Sequence, residues 1–318
     1  RQKVQYPQDR RENHLTAWWL DADTVVPVEN DLTESSRLLD GHRHALGLDN
    51  TPYDELRKFG PTLQDVYRVD LATGDRERIL EGVKYIYDSS PDGHAFVYQR
   101  DGHAWAYHLD ENRHVRLSGD IDRPVVNQEI TTLTDEKPLY GIGGWTRDGA
   151  HVFIYDRYDI WQVAADGSAT TRLTRGYDDR IRHRLVSLDP DHPREYDRSQ
   201  PVHLSLYGDT TKIWGYGHLH PGGRVERLLW KKQRLSGLDK AEDADVWMFI
   251  EQDYDDSPDI FVAGRPTLAD ARPVTRTNPQ QAEYAWGWSE LLDFTSENGD
   301  DLQAALHYPA NYDPTKTY

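Results

Sequence analysis

The chain has 318 residues, 37% of them hydrophobic, which is enough to bury the core of one large domain or two ordinary ones. Asp and Glu total 55 against 37 Lys and Arg, and the net charge of −18 argues against nucleic acid or an anionic membrane as partner, because phosphates would be repelled. Without cysteine no disulfide can form, and no apolar run approaches the roughly 20 residues that span a bilayer.

Short alternating segments follow one another along the chain, and long helical periodicity is hard to find. Trp and Tyr are abundant, at 10 and 19 residues, and these side chains suit pleated sheet surfaces. Alternation at period two predicts strands, since the side chains of a strand point to its two faces in turn. The clearest predicted strands are residues 65–71, 95–101, 103–109, 151–157 and 159–165.

Turns with a shared Asp-Gly pattern separate these strands. The pattern is SPDG at residues 90–93 and TRDG at residues 146–149. The Asp side chain can bond its own backbone, and Gly supplies the positive φ that closes a hairpin. The same chemistry recurs at Asp101-Gly102, Asp166-Gly167 and Asn298-Gly299.

Two long segments, residues 90–120 and 146–176, resemble each other along their whole length. Each contains an Asp-Gly turn, an aromatic strand, a second strand centred on Trp105 or Trp161, and an Arg-Leu-(Ser/Thr) ending. A repeat of roughly 40–50 residues with three or four strands is typical of a β-propeller. Further copies, which bring the number to about six, centre on Tyr67, Trp214, Phe261 and Trp18.

These repeats predict an all-β fold, a β-propeller with about six blade-like repeats that form an incomplete set. The blades are expected over residues 1–285, and residues 286–318 are expected to form a separate C-terminal β-hairpin. Insertions at residues 120–138 and 187–200 account for the longer intervals between repeats. The alternative is an irregular sandwich with chance similarity, but the turns and endings that recur in register favour the propeller.

No set of residues with the pattern of a catalytic site is found. A serine nucleophile elbow needs G-x-S-x-G, because its sharp strand-to-helix turn tolerates only small neighbours. The nearest match is GWSEL at residues 287–291, which has Leu at its last position and is followed by a strand-like run. Ser289 is therefore interpreted as structural, and no catalytic residue is predicted.

Histidine pairs are the nearest approach to a metal-binding pattern. His42 with His44, and His218 with His220, have the H-x-H spacing that would put both side chains on one face of a strand. Neither pair has an obvious third ligand, and the chain has 14 His, so polar surface histidines are the favoured interpretation. No metal ligand is predicted.

Acidic clusters and one Gly-rich segment are further candidates for binding or catalytic sites. Carboxylates lie close in sequence at residues 178–179, 253–256 and 300–301, and such pairs can bind Ca²⁺ or hydrolyse glycosides. In a chain this acidic they are expected to be solvated loops. The segment GIGG at residues 141–144 lacks the Lys and the helix of a phosphate loop, so no cofactor-binding residue is predicted.

The tail after the last repeat has a different pattern. The alternating segments LLDFTS (291–296) and LQAALHYP (302–309) flank ENGDD, which predicts a hairpin. This tail resembles the junction in prolyl oligopeptidase-family serine peptidases of the dipeptidyl-peptidase-like kind, where a β-propeller continues into an α/β-hydrolase domain. The residues that carry the resemblance are DNTPY (49–53), RYDIW (157–161), NPQQAEYAWG (278–287), YPANYDP (308–314), Lys316 and Tyr318.

The resemblance implies the propeller portion of such a peptidase, truncated before the hydrolase core that carries the family's nucleophile, acid and histidine. This portion would be non-catalytic and would gate peptide access to the catalytic domain. Family propellers have seven or eight blades, so Arg1 is expected to lie inside a propeller whose start is missing. The family favours a periplasmic or secreted location, and pairing of open sheet edges in a dimer is a further option.

Two other functions stay open at this stage. A stand-alone TolB-like propeller would act as a protein-interaction scaffold, but it would not need the YPANYDP hairpin at residues 308–314. A propeller enzyme acting on sugars would need two carboxylates roughly 5–9 Å apart. The tail favours the peptidase interpretation over both.

Overall fold

Strands make up almost all of the regular structure. The computed structural model describes residues 13–33, 35–58, 60–131 and 136–317, so the expected truncated start at Arg1 lies outside the described residues. None of the helices in these ranges is long and apolar enough to cross a membrane. The helices are α1 (Asp54–Arg57) and three short 3₁₀ helices at Asp40–His42, Thr51–Tyr53 and Pro279–Glu283.

The chain divides into two compact units. The first unit holds residues up to Leu185, with residues 194–202 and 219–224. Its strands are β1 (Thr16–Trp19), β2 (Thr24–Pro27), β3 (Ser35–Leu38), β4 (His44–Asp49), β5 (Gln64–Asp70), β6 (Arg76–Val83), β7 (Ile86–Ser89), β8 (Ala95–Arg100), β9 (His103–His108), β10 (Arg113–Arg116), β11 (Ile142–Thr146), β12 (His151–Tyr155), β13 (Ile160–Ala164), β14 (Thr170–Arg172), β15 (Ile181–Leu185) and β16 (Glu195–Tyr196).

The second unit holds residues 186–193, 203–218 and the chain from Val225 onward. It is built mainly from β17 (Val202–Gly208), β18 (Trp214–Leu219), β19 (Val225–Lys231), β20 (Arg234–Lys240), β21 (Trp247–Gln252), β22 (Asp259–Ala263), β23 (Arg272–Pro273), β24 (Trp288–Thr295) and β25 (Asp301–Tyr308).

Consecutive strands pair into small antiparallel sheets. In the first unit the sheet orders are β1-β2, β3-β4-β5-β6, β10-β9-β8-β7 and β14-β13-β12-β11-β16. The second unit contains the orders β17-β18-β19, β20-β21-β22-β23 and β24-β25. One pairing in the described residues is parallel, between β16 and β11. It places part of the predicted insertion at residues 187–200 against the first strand of a sheet.

The aromatic residues that marked the repeats occupy equivalent positions. Each one lies on the strand that is hydrogen-bonded to the last strand of its four-stranded series, and the parallel strand β16 is an addition to one of these series. The repeat period inferred from sequence is therefore the period of the sheets. The marker residues are Tyr67 on β5, Trp105 on β9, Trp161 on β13, Trp214 on β18 and Phe261 on β22.

The Asp-Gly turns have the predicted chemistry. Ser90 Oγ donates to the Asp92 carboxylate at 2.6 Å, and the Gly93 N–H donates to the Ser90 carbonyl with φ at +70°. The turn at residues 146–149 repeats both bonds, with the same 2.6 Å hydroxyl-to-carboxylate distance. A Cβ atom on Gly93 would lie 1.7 Å from the Asp40 carbonyl oxygen, so the turn requires glycine.

A buried carboxylate ties the last two strands of the β11–β14 sheet together. Asp159 accepts hydrogen bonds from Thr174 Oγ1 at 2.8 Å and from the Gly176 N–H at 2.5 Å. Its other oxygen lies 2.9 Å from Arg172 Nη2. The Thr174 hydroxyl also accepts from the Ile160 N–H at 3.0 Å. We call this arrangement the carboxylate clasp; it fixes the start of β13 to the chain that leaves β14.

The carboxylate clasp recurs in two other sheets. Asp65 accepts from the Gly82 N–H at 3.0 Å and pairs with Arg78 at 3.1 Å. Asp259 accepts from Thr275 Oγ1 and from the Thr277 N–H, both at 2.8 Å. These acidic residues therefore have a structural role in the repeat.

The cores lie between neighbouring sheets within each unit. In the first unit, Val97 and Ala106 pack with Trp145, Val152 and Ile154 between the β7–β10 and β11–β14 sheets. A second cluster joins the β3–β6 and β7–β10 sheets, with Leu46, Val66, Phe96 and Tyr98 at its centre. In the second unit the core forms around Tyr216, Leu235, Trp247 and Phe249.

Candidate functional site

The β24–β25 hairpin separates apolar and polar side chains onto its two faces. The strands pair over eight positions, from Trp288 opposite Tyr308 to Thr295 opposite Asp301. Directly opposite residues share a face, and the faces alternate along each strand. One face, called here the apolar hairpin face, carries Trp288, Glu290, Leu292, Phe294, Leu302, Ala304, Leu306 and Tyr308.

The apolar hairpin face is open to solvent in the described part of the chain. The exposed fractions of Trp288, Phe294, Leu302 and Leu306 are 47%, 48%, 44% and 40%. The Trp288 and Tyr308 rings stack at 3.8 Å, which orders one end of the face. A two-stranded hairpin alone is marginally stable in water, so this face needs a cover.

The opposite, polar face makes two contacts with the rest of the second unit. Gln303 Nε2 donates to the Thr210 carbonyl at 2.9 Å, and the His307 ring stacks on Tyr254 at 6.0 Å. A surface hairpin usually buries its apolar face against the core. In this hairpin every residue of β24 is exposed, so the apolar side chains are open as well, and exposed apolar patches of this kind mark interaction surfaces.

Ser289 lies on the polar hairpin face, within β24. The strand continues from it to Thr295, so Ser289 does not stand on a strand-to-helix turn. An activated serine of the elbow type needs that turn, which exposes the hydroxyl beside backbone N–H donors. The interpretation of Ser289 as structural stays a prediction.

A cavity of about 780 Å³ in the first unit is lined by arginine and tyrosine side chains. The Arg123 guanidinium lies over the Tyr177 ring at 3.7 Å. Tyr177 meets Tyr158 edge to face at 5.8 Å, and the Arg157 guanidinium lies 5.2 Å from the Tyr158 ring. The four side chains make one continuous wall, called here the Arg–Tyr wall.

Backbone hydrogen bonds to one buried carboxylate position half of this wall. Asp156 accepts from the Tyr158 and Asp159 N–H groups at 2.7 and 2.6 Å, and from Trp161 Nε1 at 2.9 Å. The loop between β12 and β13 is thereby closed tightly. Arg157 lies within this loop and is presented to the cavity.

A second turn positions the other half of the wall. The Ile181 N–H donates to the Gly176 carbonyl at 2.8 Å and the Arg180 N–H to the Tyr177 carbonyl at 3.3 Å. Arg180 has φ at +51°, in the left-handed region that a non-glycine residue rarely adopts. The predicted acidic pair Asp178-Asp179 lies on this turn, and its side chains are exposed.

Two arginines and one aspartate form a separate cluster, with Arg37 on β3, Asp88 on β7 and Arg194 directly before β16. Asp88 on β7 lies 3.4 Å from Arg37 Nη2 and 3.3 Å from Arg194 Nη1. Each guanidinium also donates to a backbone carbonyl, Arg37 to that of Tyr87 and Arg194 to that of Ile142. Burial raises the pKa of Asp88 above its ordinary value, although both arginines oppose that shift.

The first predicted histidine pair does not share a strand face. His42 lies in a 3₁₀ helix with φ at +54°, whereas His44 opens β4 and is buried. His44 Nδ1 has no hydrogen-bond partner in the described residues. Burial, with the nearby Arg68, lowers the pKa of His44.

Each member of the second histidine pair has side-chain contacts of its own. His218 is buried in β18, and its Nε2 lies 3.0 Å from Nε2 of His203. His203 Nε2 also lies 2.9 Å from the Pro266 carbonyl oxygen. His220 follows the strand, and its Nε2 lies 2.8 Å from Arg224 Nη2.

The remaining predicted clusters are parts of turns and strands. Asp253 and Asp256 close the turn between β21 and β22 through an N–H to carbonyl bond of 3.1 Å. Asp300 and Asp301 lie at the end of the hairpin turn. The GIGG segment at residues 141–144 leads into β11 and has no helix after it.

Sequence reasoning did not find the Arg–Tyr wall. Arg157 lies in the predicted strand at residues 151–157 and in the RYDIW segment, and Tyr177 belongs to no feature predicted from sequence. The wall joins residues from three connections, with more than fifty positions between Arg123 and Tyr177. No local signal marks it, because arginine is no more frequent than acidic residues in each of these connections.

Comparison with known proteins gives a likeness in fold. No protein-family model matches the chain, and no curated protein matches it by sequence. A candidate dipeptidyl aminopeptidase IV from Bacteroides ovatus matches over 97% of this chain and 53% of its own, with 11% identity and a TM-score of 0.61. Puromycin hydrolase matches over 96% and 48%, with 14% identity and a TM-score of 0.47.

Other matched structures include Porphyromonas gingivalis dipeptidyl peptidase 4, over 96% of this chain and 65% of its own, with 10% identity and a TM-score of 0.33. The chain spans about half the length of the first solved structures that it matches. The Bacteroides ovatus match confirms the predicted fold class. The chain is nearly all-β, with four-stranded antiparallel sheets like those of the propeller domain in these neighbours.

Proposed function

We propose that the chain is the non-catalytic propeller portion of a prolyl oligopeptidase-like serine peptidase. Residues 1–285 would form blades, and residues 286–318 would form the first hairpin of an α/β-hydrolase domain. The apolar hairpin face is the observation that carries this proposal. It is a surface that a further domain, and not water, would be expected to cover.

The free energy available at this face is considerable. Burying a large apolar side chain contributes roughly 1.5–3 kcal/mol, and six such side chains lie on the face: Trp288, Leu292, Phe294, Leu302, Leu306 and Tyr308. These side chains are already more than half buried, with 37% to 48% of Leu292 and Phe294 exposed, so covering the rest would contribute roughly half of that sum, on the order of 5 kcal/mol before the costs of ordering. That amount would favour contact between a hydrolase core and the hairpin.

The proposed role in catalysis is to limit access. A propeller beside a hydrolase domain would admit peptides and exclude folded proteins from the catalytic serine. Peptides are therefore the proposed substrates of the whole protein.

A fluorophosphonate probe, which labels activated serines, tests this proposal. The 318-residue chain and a version extended past Tyr318 by several hundred residues would be treated in parallel. We expect label only on the extended chain. Within the extended chain, Phe294→Asp with Leu306→Asp should reduce labelling, whereas Leu291→Asp on the polar hairpin face should change it less.

The other outcomes have distinct meanings. Label on the 318-residue chain itself would contradict the non-catalytic role and the interpretation of Ser289. Absence of label from both chains, with both folded by circular dichroism, would favour the stand-alone TolB-like scaffold.

A further inference from the structure

Three side chains of metal-binding type lie close together in the second unit, and the proposed function does not use them. His203 is on β17, His218 on β18 and Glu226 on β19, three neighbouring strands of one sheet. Nε2 of His203 lies 3.0 Å from Nε2 of His218, and a ring nitrogen of His218 lies within 4.8 Å of a Glu226 carboxylate oxygen. Imidazole and carboxylate groups are common zinc ligands, so this row of side chains has the chemistry of a metal site.

The distances within the row suit a shared ion. A zinc ion lies about 2.0–2.1 Å from a histidine nitrogen and about 2.0–2.2 Å from a carboxylate oxygen, so two of its ligands are roughly 3–4 Å apart. The 3.0 Å between the two Nε2 atoms is within that range. The Glu226 carboxylate, at 4.8 Å or less from His218, reaches the same range by a small side-chain rotation.

Hydrogen bonding alone leaves Nε2 of His203 poorly satisfied. This atom lies 2.9 Å from the Pro266 carbonyl oxygen as well as 3.0 Å from Nε2 of His218. A ring nitrogen carries at most one hydrogen, and a carbonyl oxygen only accepts. A hydrogen on His203 is therefore shared between two acceptors, and without it the lone pairs of His203 and Pro266 face each other. A cation among these atoms would be bound by all of their lone pairs at once.

Burial strengthens the attraction between this site and a cation. His203 and His218 are only 8% and 7% exposed, whereas Glu226 is half-buried. The attraction between a divalent cation and a carboxylate is stronger beside buried groups than in bulk water, because the effective dielectric constant is lower. The half-buried carboxylate also gives an ion a path from solvent to the two buried nitrogens.

His220 is left out of the proposed ligands. Its Nε2 lies 2.8 Å from Arg224 Nη2, and a ring nitrogen that accepts a hydrogen bond from a guanidinium has no lone pair left for a metal ion. Arg224 is exposed, so solvent screens its charge. The H-x-H spacing at residues 218–220 therefore does not describe the site, whose members come from three strands.

We propose that His203, His218 and Glu226 bind a divalent transition-metal ion of the zinc type, with the Pro266 carbonyl oxygen as the fourth ligand. Two nitrogens and two oxygens suit Zn²⁺ better than Mg²⁺ or Ca²⁺, which prefer oxygen ligands alone. Four protein ligands leave no open position for a substrate, so the role is structural. Pro266 follows β22, and the ion would tie the β17–β19 strands to the β20–β23 sheet within the second unit.

Calorimetric titration of the 318-residue chain with ZnCl₂, after a chelator has removed bound metals, tests the proposal. We expect saturable binding of one equivalent, with a dissociation constant in the micromolar range or below. MgCl₂ should show no saturable binding under the same conditions. Since the folded chain alone assembles the site, one equivalent of Zn²⁺ should also raise the thermal midpoint of unfolding.

Substitutions locate the ion. His218→Gln and Glu226→Gln should each weaken Zn²⁺ binding at least about 100-fold, since loss of a residue that merely orients a ligand already costs about 10- to 100-fold. His192→Gln is the matched control, because the His192 ring also lies beside a carboxylate, 3.2 Å from Asp189 Oδ2, but at an exposed position in another loop. That control should bind Zn²⁺ as the parent chain does.

Two results would overturn the proposal. The first is the absence of saturable Zn²⁺ binding up to about 100 μM. The second is undiminished binding by both variants, which would place the ion on surface histidines in this chain of 14 His. If His218→Gln fails to fold, as judged by circular dichroism, Glu226→Gln decides, because a half-buried side chain tolerates an amide of the same shape.

Discussion

Asp159, Asp65 and Asp259 hold equivalent positions in three sheets but differ in how far they are buried. The Asp159 side chain is fully buried beside Arg172, the Asp65 side chain is 3% exposed, and Asp259 is half-buried. Removing one partner of a buried ion pair leaves the other charge uncompensated, which typically costs about 3 kcal/mol or more. Asp159→Asn should therefore lower the free energy of unfolding by about 3 kcal/mol.

The three clasp variants should follow the order of burial. Asp65→Asn should cost nearly as much as Asp159→Asn, because their side chains are 3% and 0% exposed, and Asp259→Asn should cost least. Urea unfolding followed by tryptophan fluorescence measures the three values, with Asp255→Asn in an exposed loop as the control. Equal losses in all three variants would show that burial does not set the strength of the carboxylate clasp.

His203 should make the second unit sensitive to acid. Burial, opposed by the Pro266 carbonyl and aided by the neighbouring His218, lowers the pKa of His203 to about 4. The unfolded chain binds its proton near pH 6.5, so stability is complete above that pH and is lost as the pH falls toward 4. The loss should reach about 3 kcal/mol at pH 4.

A variant without the titrating ring isolates this effect. His203→Gln can still donate to the Pro266 carbonyl but cannot gain a proton, so its unfolding midpoint should fall less between pH 6.5 and 4. His192→Gln, at an exposed position, should retain the parent's pH dependence. If His203→Gln and the parent lost stability in parallel, the acid sensitivity would lie elsewhere.

At the scale of elements, the hairpin gives a prediction for the chain alone. Apolar side chains open to water bind hydrophobic dyes, and Phe294 and Leu306 are 48% and 40% exposed. Phe294→Ser with Leu306→Ser should reduce the fluorescence of bound anilinonaphthalene sulfonate by roughly half. Leu291→Ser, on the polar hairpin face, should have a smaller effect. Dye binding unchanged by the double substitution would mean that this face is already covered.

The elements that depend on local patterns could be predicted from sequence. Period-two alternation and Asp-Gly turns are local signals, and both identified the strands β8, β9, β12 and β13 close to their observed bounds. The aromatic markers predicted the repeat of the sheets because they too are a local signal: each sheet contains its marker and turn within one short segment. The hairpin was predicted too. Which of its two faces contacts the rest of the second unit was not predicted, because alternation alone does not say which face packs against protein.

Features made by distant segments were not predictable in this way. The parallel pairing of β16 with β11 brings together residues about fifty positions apart. The Arg–Tyr wall combines three connections, each of which looks like an ordinary polar loop by itself. The clasp acids were not predicted, since burial depends on the neighbouring strand and not on the acid.

At the scale of the whole molecule, net charge should govern the response to salt. A chain at −18 repels itself, which destabilises the compact state, and salt screens that repulsion. Salt also weakens surface ion pairs, such as Arg113 with Glu111 at 2.6 Å, but exposed pairs contribute little. Repulsion should dominate, because 55 acidic residues face 37 basic ones.

The thermal midpoint should therefore rise by several degrees between about 0.01 and 0.3 M NaCl, over which the screening length falls from roughly 30 Å to below 10 Å. Glu242→Lys with Asp243→Lys, in an exposed turn, changes the net charge from −18 to −14 and should reduce the slope. Scanning calorimetry on both chains gives the comparison. A midpoint that fell with salt would mean that the ion pairs outweigh the excess acidic charge, since screening would then remove more attraction than repulsion.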